Sequence, residues 1–247
     1  MLTPTPRPSI PLTVLVYKKG VNITESIISA FKNLKQKHRF FVSEDDFQAS
    51  FTWELMQAFK DWPNVKIYRE FPVRIYDNKW RTIYIDILIM ADGKRFPIEL
   101  KYKTDQIDSD TLYENTGIPV RDILKSQGAE DEGCYDCWKD ISRIEKLVDS
   151  GFAHSGIFIC IANDKYYWNG QCNINSQAYA FRMNSGRKCG GKYNWNLANC
   201  TKPEKLLKAR PNLDIRNDYE FTWQDFYEMP AQNGLFKFLL VTIPSKE

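Results

Sequence analysis

The chain of 247 residues carries a formal net charge of +3, and 43% of it is hydrophobic and 14% aromatic. That length suits one large domain or one with an elaborated insertion, and the apolar content is enough to fill a bulky core. The longest apolar run, near Gly234 to Ile243, is too short for a membrane span, so no membrane partner is expected.

Residues 1–15 are punctuated by proline and lack a charged start followed by a long apolar core, so no export signal is expected and the cytoplasm is the expected location. In that setting Cys134, Cys137, Cys160, Cys172, Cys189 and Cys200 are expected as reduced thiols. A zinc site at Cys134-x-x-Cys137 would require a second ligand pair, for which Cys189 and Cys200 are available. His38 and His154 stand apart, which argues against a histidine metal site or a Ser/His triad. Charge is unevenly distributed: residues 105–149 hold twelve acidic and five basic side chains, whereas residues 181–216 hold nine basic and two acidic. Phosphate attracts clustered Lys and Arg rather than total charge, so the second segment is the candidate phosphate-binding one. No P-loop, glycine-rich dinucleotide fingerprint or helicase motif is present, so ATP-driven action is not indicated.

Four prolines in residues 1–12 read as an extended arm, followed by a short strand at Leu12 to Tyr17. Asn22 or Thr24 caps a helix running to about Lys37, with Ile27, Ile28, Phe31 and Leu34 on its apolar side. Ser43 caps a second helix, from Glu44 to about Asp61, whose stripe of Phe47, Phe51, Leu55 and Phe59 faces a core. Glu44 is in phase with that stripe at its N-terminal edge, where an acid also complements the helix dipole. Trp62-Pro63 ends the helix. Val65 to Ile75 reads as a strand containing Glu70, and Asp77-Asn78 as the turn into the next strand.

Ile83 to Lys103 then reads as two strands joined at Ala91-Asp92-Gly93-Lys94, where glycine supplies the positive φ that a hairpin turn needs. Ile83, Ile85, Ile87 and Ile89 alternate with Asp86, which puts Asp86 on the opposite face; Glu99 and Lys101, two residues apart, share a face of the second strand. Two carboxylates and an ammonium thus converge at the end of a buried hairpin. Burying such charges is costly unless they are paired or bind a metal. Mg²⁺ prefers hard oxygen ligands, typically one or two carboxylates with waters and phosphate oxygens, and Mn²⁺ is expected to substitute for it. Asp86 and Glu99 are the candidate metal ligands. Lys101 is then the group that orients or deprotonates a bound water, or that stabilises charge on a phosphate. A surface hairpin with an incidental Glu–Lys pair is the plain structural alternative.

Downstream, residues 104–132 read as a polar loop that becomes helical around Val120 to Gln127. A helix from about Tyr135 to Ser150 presents Trp138, Ile141, Ile144, Leu147 and Val148, with Asp140, Arg143 and Glu145 as local ion pairs outside any catalytic role. Gly156 to Ala162 is a continuous apolar run, hence a strand buried on both faces beside the hairpin. Tyr166 to Trp168 form an aromatic cluster at its exit. In the basic segment, Arg187, Lys188 and Lys192 lie among Gly186, Gly190 and Gly191, with Tyr193 and Trp195 interleaved, as in a loop or hairpin that tracks a phosphate backbone. Phe221 to Phe226 and Gly234 to Ile243 close the chain, the last too apolar for an exposed edge.

The array of Asp86, Glu99 and Lys101 in IDILIMADGKRFPIELKYKT resembles the PD-(D/E)XK nuclease superfamily, although Ile85 stands where its usual proline precedes the aspartate. SEDDFQASFTWEL upstream, and QGAEDEGCYDCWKDISRIEKLVDSGF with IANDKYYW downstream, resemble an uncharacterised bacterial subgroup of it; together these cover roughly residues 43 to 243. The resemblance implies an α/β, restriction-endonuclease-like fold, with a mixed central sheet flanked by helices. It implies an N-terminal arm and helix at 1–40 and a nuclease domain at 41–247. It adds Glu44 as a further catalytic carboxylate on the helix before the hairpin, with Glu54 as the alternative, and Gln127 ahead of a helix packed near the site, its amide a candidate to hold a nucleic-acid phosphate, a water or a backbone group. The function implied is Mg²⁺-dependent hydrolysis of DNA, by a monomer or a homodimer. The alternatives are a non-catalytic nucleic-acid-binding or partner-binding module with the same fold, and a hydrolase of another phosphate ester.

Overall fold

The computed structural model of the chain describes residues 22–77, 79–113, 116–169 and 173–246. The expected arm, the strand at Leu12 to Tyr17, Asn78 of the first turn and Cys172 lie outside them. Helix α1 (Ile23–Lys37) starts at Asn22, whose side chain accepts from the Thr24 N–H at 2.9 Å. Helix α2 (Glu44–Ala58) starts at Ser43, whose hydroxyl accepts from the Asp46 N–H at 3.1 Å. The second helix stops three residues short of the expected Asp61, because Phe59 leaves the helical path to pack edge-on against Trp62 at 5.1 Å. Phe31 of α1 meets Phe51 of α2 at 5.7 Å, so both helices belong to one core.

Strands β1 (Lys66–Asp77), β2 (Lys79–Ala91) and β3 (Lys94–Lys103) form an antiparallel meander. The turn between β2 and β3 holds Asp92 at φ 52° and Gly93 at φ 74°, the pair of positive angles a two-residue hairpin requires. Among the described residues between β3 and the next helix, Val120–Asp122 alone is helical, as one 3-10 turn that stops short of the expected Gln127. The loop's polar backbone groups are instead satisfied across it: Thr104 donates to the Lys125 carbonyl at 2.9 Å, and the Gln127 N–H donates to the Thr104 carbonyl at 3.0 Å.

Helix α3 (Glu130–Asp149) begins five residues before the expected Tyr135, with Glu130, Asp131 and Glu132 complementing its positive end. It crosses back to β4 (Gly156–Ala162), which is buried along its whole length and runs parallel to β3. Gly156 is required there, since a Cβ would stand 2.3 Å from the Ile144 side chain. The chain continues through α4 (Tyr166–Asn169), β5 (Lys188–Tyr193), α5 (Pro203–Ala209), β6 (Leu213–Glu220), β7 (Gln224–Glu228) and β8 (Leu235–Ile243). The main sheet has six strands in the order β1-β2-β3-β4-β8-β7, and β5 and β6 make a separate two-stranded sheet. The architecture is therefore mixed α/β, with β8 inside the sheet rather than at its edge.

One core lies between the sheet and α1 and α2; the other lies between the sheet, α3 and the second sheet. In the latter, Trp138 is stacked between Tyr193 and Phe221, both at 4.7 Å. Tyr193 and Trp195 are thus core residues, and so is Tyr167. The side chains of Cys134, Cys137 and Cys160 are buried in the same core. No helix among the described residues is long and apolar enough to cross a membrane.

Glu145, expected in a local ion pair, is instead buried and joins α3 to β6. Its carboxylate accepts from the N–H groups of Arg216 and Asn217 and from the Tyr219 hydroxyl, each at 2.9 Å. Removing it leaves these donors without an acceptor. Glu145→Ala is expected to lower unfolding free energy by about 3 kcal/mol, as read from urea denaturation.

Candidate active site

The site lies where β2 parts from β3. Their ladder runs from Ala91↔Lys94 to Ile87↔Ile98 and stops before Asp86 and Glu99, the next pair in register. Asp86 instead accepts the Leu100 N–H at 2.6 Å. The β1–β2 ladder is interrupted at the same level, between Arg69↔Ile87 and Phe71↔Ile85, where Glu70 takes φ 47°. Such a conformation costs a non-glycine residue on the order of 1–2 kcal/mol. The expected alternation breaks here too: Ile87 and Ile89 pack beneath α1 and α2, whereas Ile85 joins Leu88 beneath α3. Gln48 of α2 braces the junction, donating to the Asp86 carbonyl at 2.6 Å and to the Glu70 carboxylate at 2.8 Å while accepting from Arg69 at 2.6 Å.

Glu44 also reaches this point. One of its oxygens accepts from the Tyr102 N–H at 2.9 Å, and the other lies 3.5 Å from the Lys101 ammonium. Glu54, the alternative, is paired with Lys37 of α1 at 2.7 Å and takes no part. Lys101 lies 2.9 Å from an Asp140 oxygen, and Arg143 bridges the other Asp140 oxygen at 3.0 Å and Glu99 at 2.9 Å. The expected local ion pair of Asp140 and Arg143 thus forms, but both residues also reach across to β3. Asp140 is 3% exposed and Glu99 1%, and the network spans α2, β3 and α3. The signal for Asp140 was its place three residues after Cys137 and four before Ile144, in phase with the buried face.

Burial pushes the Asp86 carboxyl up to about 6, against the opposing pull of Lys101 and the Leu100 N–H. Burial likewise raises Glu99, with the Asp140 charge adding to it and Arg143 opposing. Burial on its own would lower Lys101, but Asp140, Glu44 and Asp86 outweigh it and hold the amine above its ordinary value. Lys101 is thus an ammonium at neutral pH, suited to neutralising negative charge rather than to taking a proton.

A cleft of about 330 Å³ opens at the N-terminus of α2, lined by Ser43, Glu44, Asp45, Gln48, Glu70, Asp86 and Leu100. Among the described residues no three His, Cys, Asp or Glu side chains form a preformed cage for a metal ion. Of the two expected ligands Asp86 lines this cleft, with the carboxylates of Glu44, Asp45 and Glu70, hard oxygens of the kind Mg²⁺ takes; Glu99 is not among the lining residues and is engaged by Arg143.

The other expected residues fall elsewhere. Gln127 donates to the Tyr102 carbonyl at 3.1 Å, so its amide serves a backbone group at the end of β3. Arg187 donates to the carbonyls of Ala180 and Arg182 and lies over the Trp138 and Tyr193 rings. Lys188 and Lys192 are exposed on β5 and line, with Arg182 and Tyr179, a groove of about 790 Å³ that shares no residue with the Asp86 cleft. The chain matches no family model, no curated protein and no solved structure.

The Asp86 carboxyl has a folded-state pKa above its ordinary 3.8, so the folded protein binds its proton more tightly than the unfolded chain. The stability this contributes is present at acid pH and is lost as pH rises through about 6. In metal-free buffer Asp86→Asn is expected to raise the melting temperature at pH 8 and to raise it less at pH 5. Thermal denaturation at the two pH values checks this, and an unchanged or lower value at pH 8 contradicts it.

Proposed function

We propose that the chain is a Mg²⁺-dependent nuclease that hydrolyses DNA phosphodiester bonds, of the PD-(D/E)XK kind its D-x12-E-x-K array resembles. The observation that carries this reading is that Asp86 and Glu44 line one open cleft at the parting of two strands, with Lys101 against Glu44 and Glu99 buried on Arg143 in the same charged network. The meander that carries them, followed by a helix and a strand parallel to β3, supports the restriction-endonuclease-like assignment. Asp86 and Glu99 would hold the ion, each through a carboxylate oxygen other than the one engaged by Leu100 or Arg143. Bound there, Mg²⁺ supplies a Lewis acid for the phosphate and lowers the pKa of a coordinated water.

The chain's own groups do the rest. Asp140 and Glu44 keep Lys101 charged and aimed, so its ammonium faces developing charge on the phosphate. Gln48 and the Leu100 N–H fix the Asp86 backbone and carboxylate, so the ligand needs little reorganisation. A second reading, a binding module that keeps the architecture without cleavage, is favoured by one feature. Arg143 and Lys101 already neutralise Glu99 and Asp140 without an ion.

Cleavage of supercoiled and single-stranded DNA with Mg²⁺, Mn²⁺ or EDTA separates the two. Metal-dependent cleavage is expected, reduced at least about a hundredfold in Asp86→Ala and in Lys101→Ala, with circular dichroism showing both variants folded. Undiminished cleavage in folded Lys101→Ala contradicts the mechanism, and salt-sensitive binding without any cleavage favours the binding module.

A further inference from the structure

The outer halves of β1 and β2 form a two-stranded ribbon beyond the β3 ladder, since β2 pairs with β3 only from Ile87 to Ala91 but with β1 out to Lys79. One face of the ribbon, with Phe71, Val73, Ile75, Ile83 and Ile85, packs on the core beneath α3. The other face holds Pro72, Arg74, Tyr76, Trp80, Thr82 and Tyr84, all exposed. An antiparallel ribbon buried on one side ordinarily carries polar residues on the other. This one carries three aromatic rings, with Tyr76 67% exposed, Trp80 60% and Tyr84 56%. Tyr76 and Trp80 are cross-strand partners with rings edge-on at 5.4 Å, and the Arg74 guanidinium lies over the Trp80 ring at 5.2 Å. The described side chains of this face include no carboxylate, and in sequence residues 74–81 comprise three basic residues and one acidic. The next positions inward, Glu70 and Asp86, line the cleft.

We propose that this face is a platform for a single nucleic-acid strand, whose bases stack on Tyr76, Trp80 and Tyr84 and whose phosphates meet Arg74, and that it leads the strand towards Asp86. The inference deepens the nuclease reading and rests on it only for the strand's destination. Side chains on one strand face stand about 6.7 Å apart, which leaves room for bases against each ring. Exposed aromatics on a sheet face bind two or three unpaired bases in this manner, without regard to sequence, because every base has a stacking face. A duplex hides those faces. An aromatic patch with an arginine also suits a protein partner, but the Arg74 guanidinium over Trp80 and the basic excess of residues 74–81 favour a polyanion.

The test is anisotropy of a labelled oligothymidylate of about 20 nucleotides, longer than a typical binding site, and of a duplex of equal length, both in EDTA. Trp80→Ala is expected to weaken single-strand binding about tenfold, the scale of one base–aromatic stack. Trp80→Phe is expected to restore most of it, and the duplex to bind more weakly. The proposal is overturned if the wild-type chain does not bind. It is also overturned if the combined Tyr76→Ala, Trp80→Ala, Tyr84→Ala variant, with unchanged melting temperature, binds as tightly, or loses self-association instead of strand binding. Because EDTA removes cleavage, ribbon-dependent binding by a chain that never cuts DNA supports this inference while the nuclease reading fails.

Discussion

Five side chains of alternating sign, Glu44, Lys101, Asp140, Arg143 and Glu99, run in series across the junction of α2, β3 and α3. Glu44 is half-exposed, but the other four are largely buried, and such charges are tolerated only in such company, because removing one partner of a buried pair leaves the other uncompensated, at a cost of about 3–5 kcal/mol. The series also fixes how α3 lies on the sheet. Asp140 precedes Arg143 on the helix, yet reaches Lys101, which follows Glu99 on the strand. The crossing of these pairs matches a helix running back against β3 so that β4 can start beside it in parallel. One set of ion pairs thereby sets the site and the direction of the crossover.

The other side of α3 is held by different chemistry. Trp138 between Tyr193 and Phe221, and the Glu145 carboxylate on the β6 backbone, attach the second sheet to the helix that carries Asp140 and Arg143. The basic segment, which reads in sequence as a mobile phosphate-tracking loop, consequently has a mainly structural inner face. Arg187 is turned onto carbonyls and rings, while Lys188 and Lys192 stay outside, in a groove apart from the cleft. A helix enclosed by two sheets is well placed to hold the network still.

Much of this was legible because the periodic signals were local. The caps at Asn22 and Ser43, the Asp92-Gly93 turn and the all-apolar β4 each follow from a few adjacent residues. Convergence of Asp86, Glu99 and Lys101 was the expectation from strand alternation and turn geometry; the alternation breaks at Asp86, and Glu99 lies on Arg143 outside the cleft that Asp86 lines. What escaped depended on partners distant in sequence. Asp140 and Arg143 look like an ordinary i, i+3 surface pair until β3 supplies Lys101 and Glu99. The same holds for Glu145, whose partners are about seventy residues on. The kink at Glu70, and with it the change of face between Ile85 and Ile87, has no local signature, since glutamate carries no preference for positive φ.

Within the cluster, one carboxylate is explained less by structure than the others. Glu99 has Arg143, Asp140 has both cations, and Glu44 has the Tyr102 N–H and Lys101. Asp86 accepts one backbone N–H, and among the described residues no cation pairs with it directly. Burial pushes its carboxyl up to about 6. The fold nevertheless holds it there by interrupting two ladders, placing Glu70 in a strained conformation and bracing both with Gln48. A core position under no functional demand would relax such strain or replace the carboxylate by an apolar side chain of similar volume, at a gain in stability. Strain kept at an open cleft is instead what a site preorganised for a cation or a phosphate-bearing substrate requires. Asp86, rather than the better-paired Glu99 or Lys101, is therefore the residue on which a functional reading of this fold bears most directly.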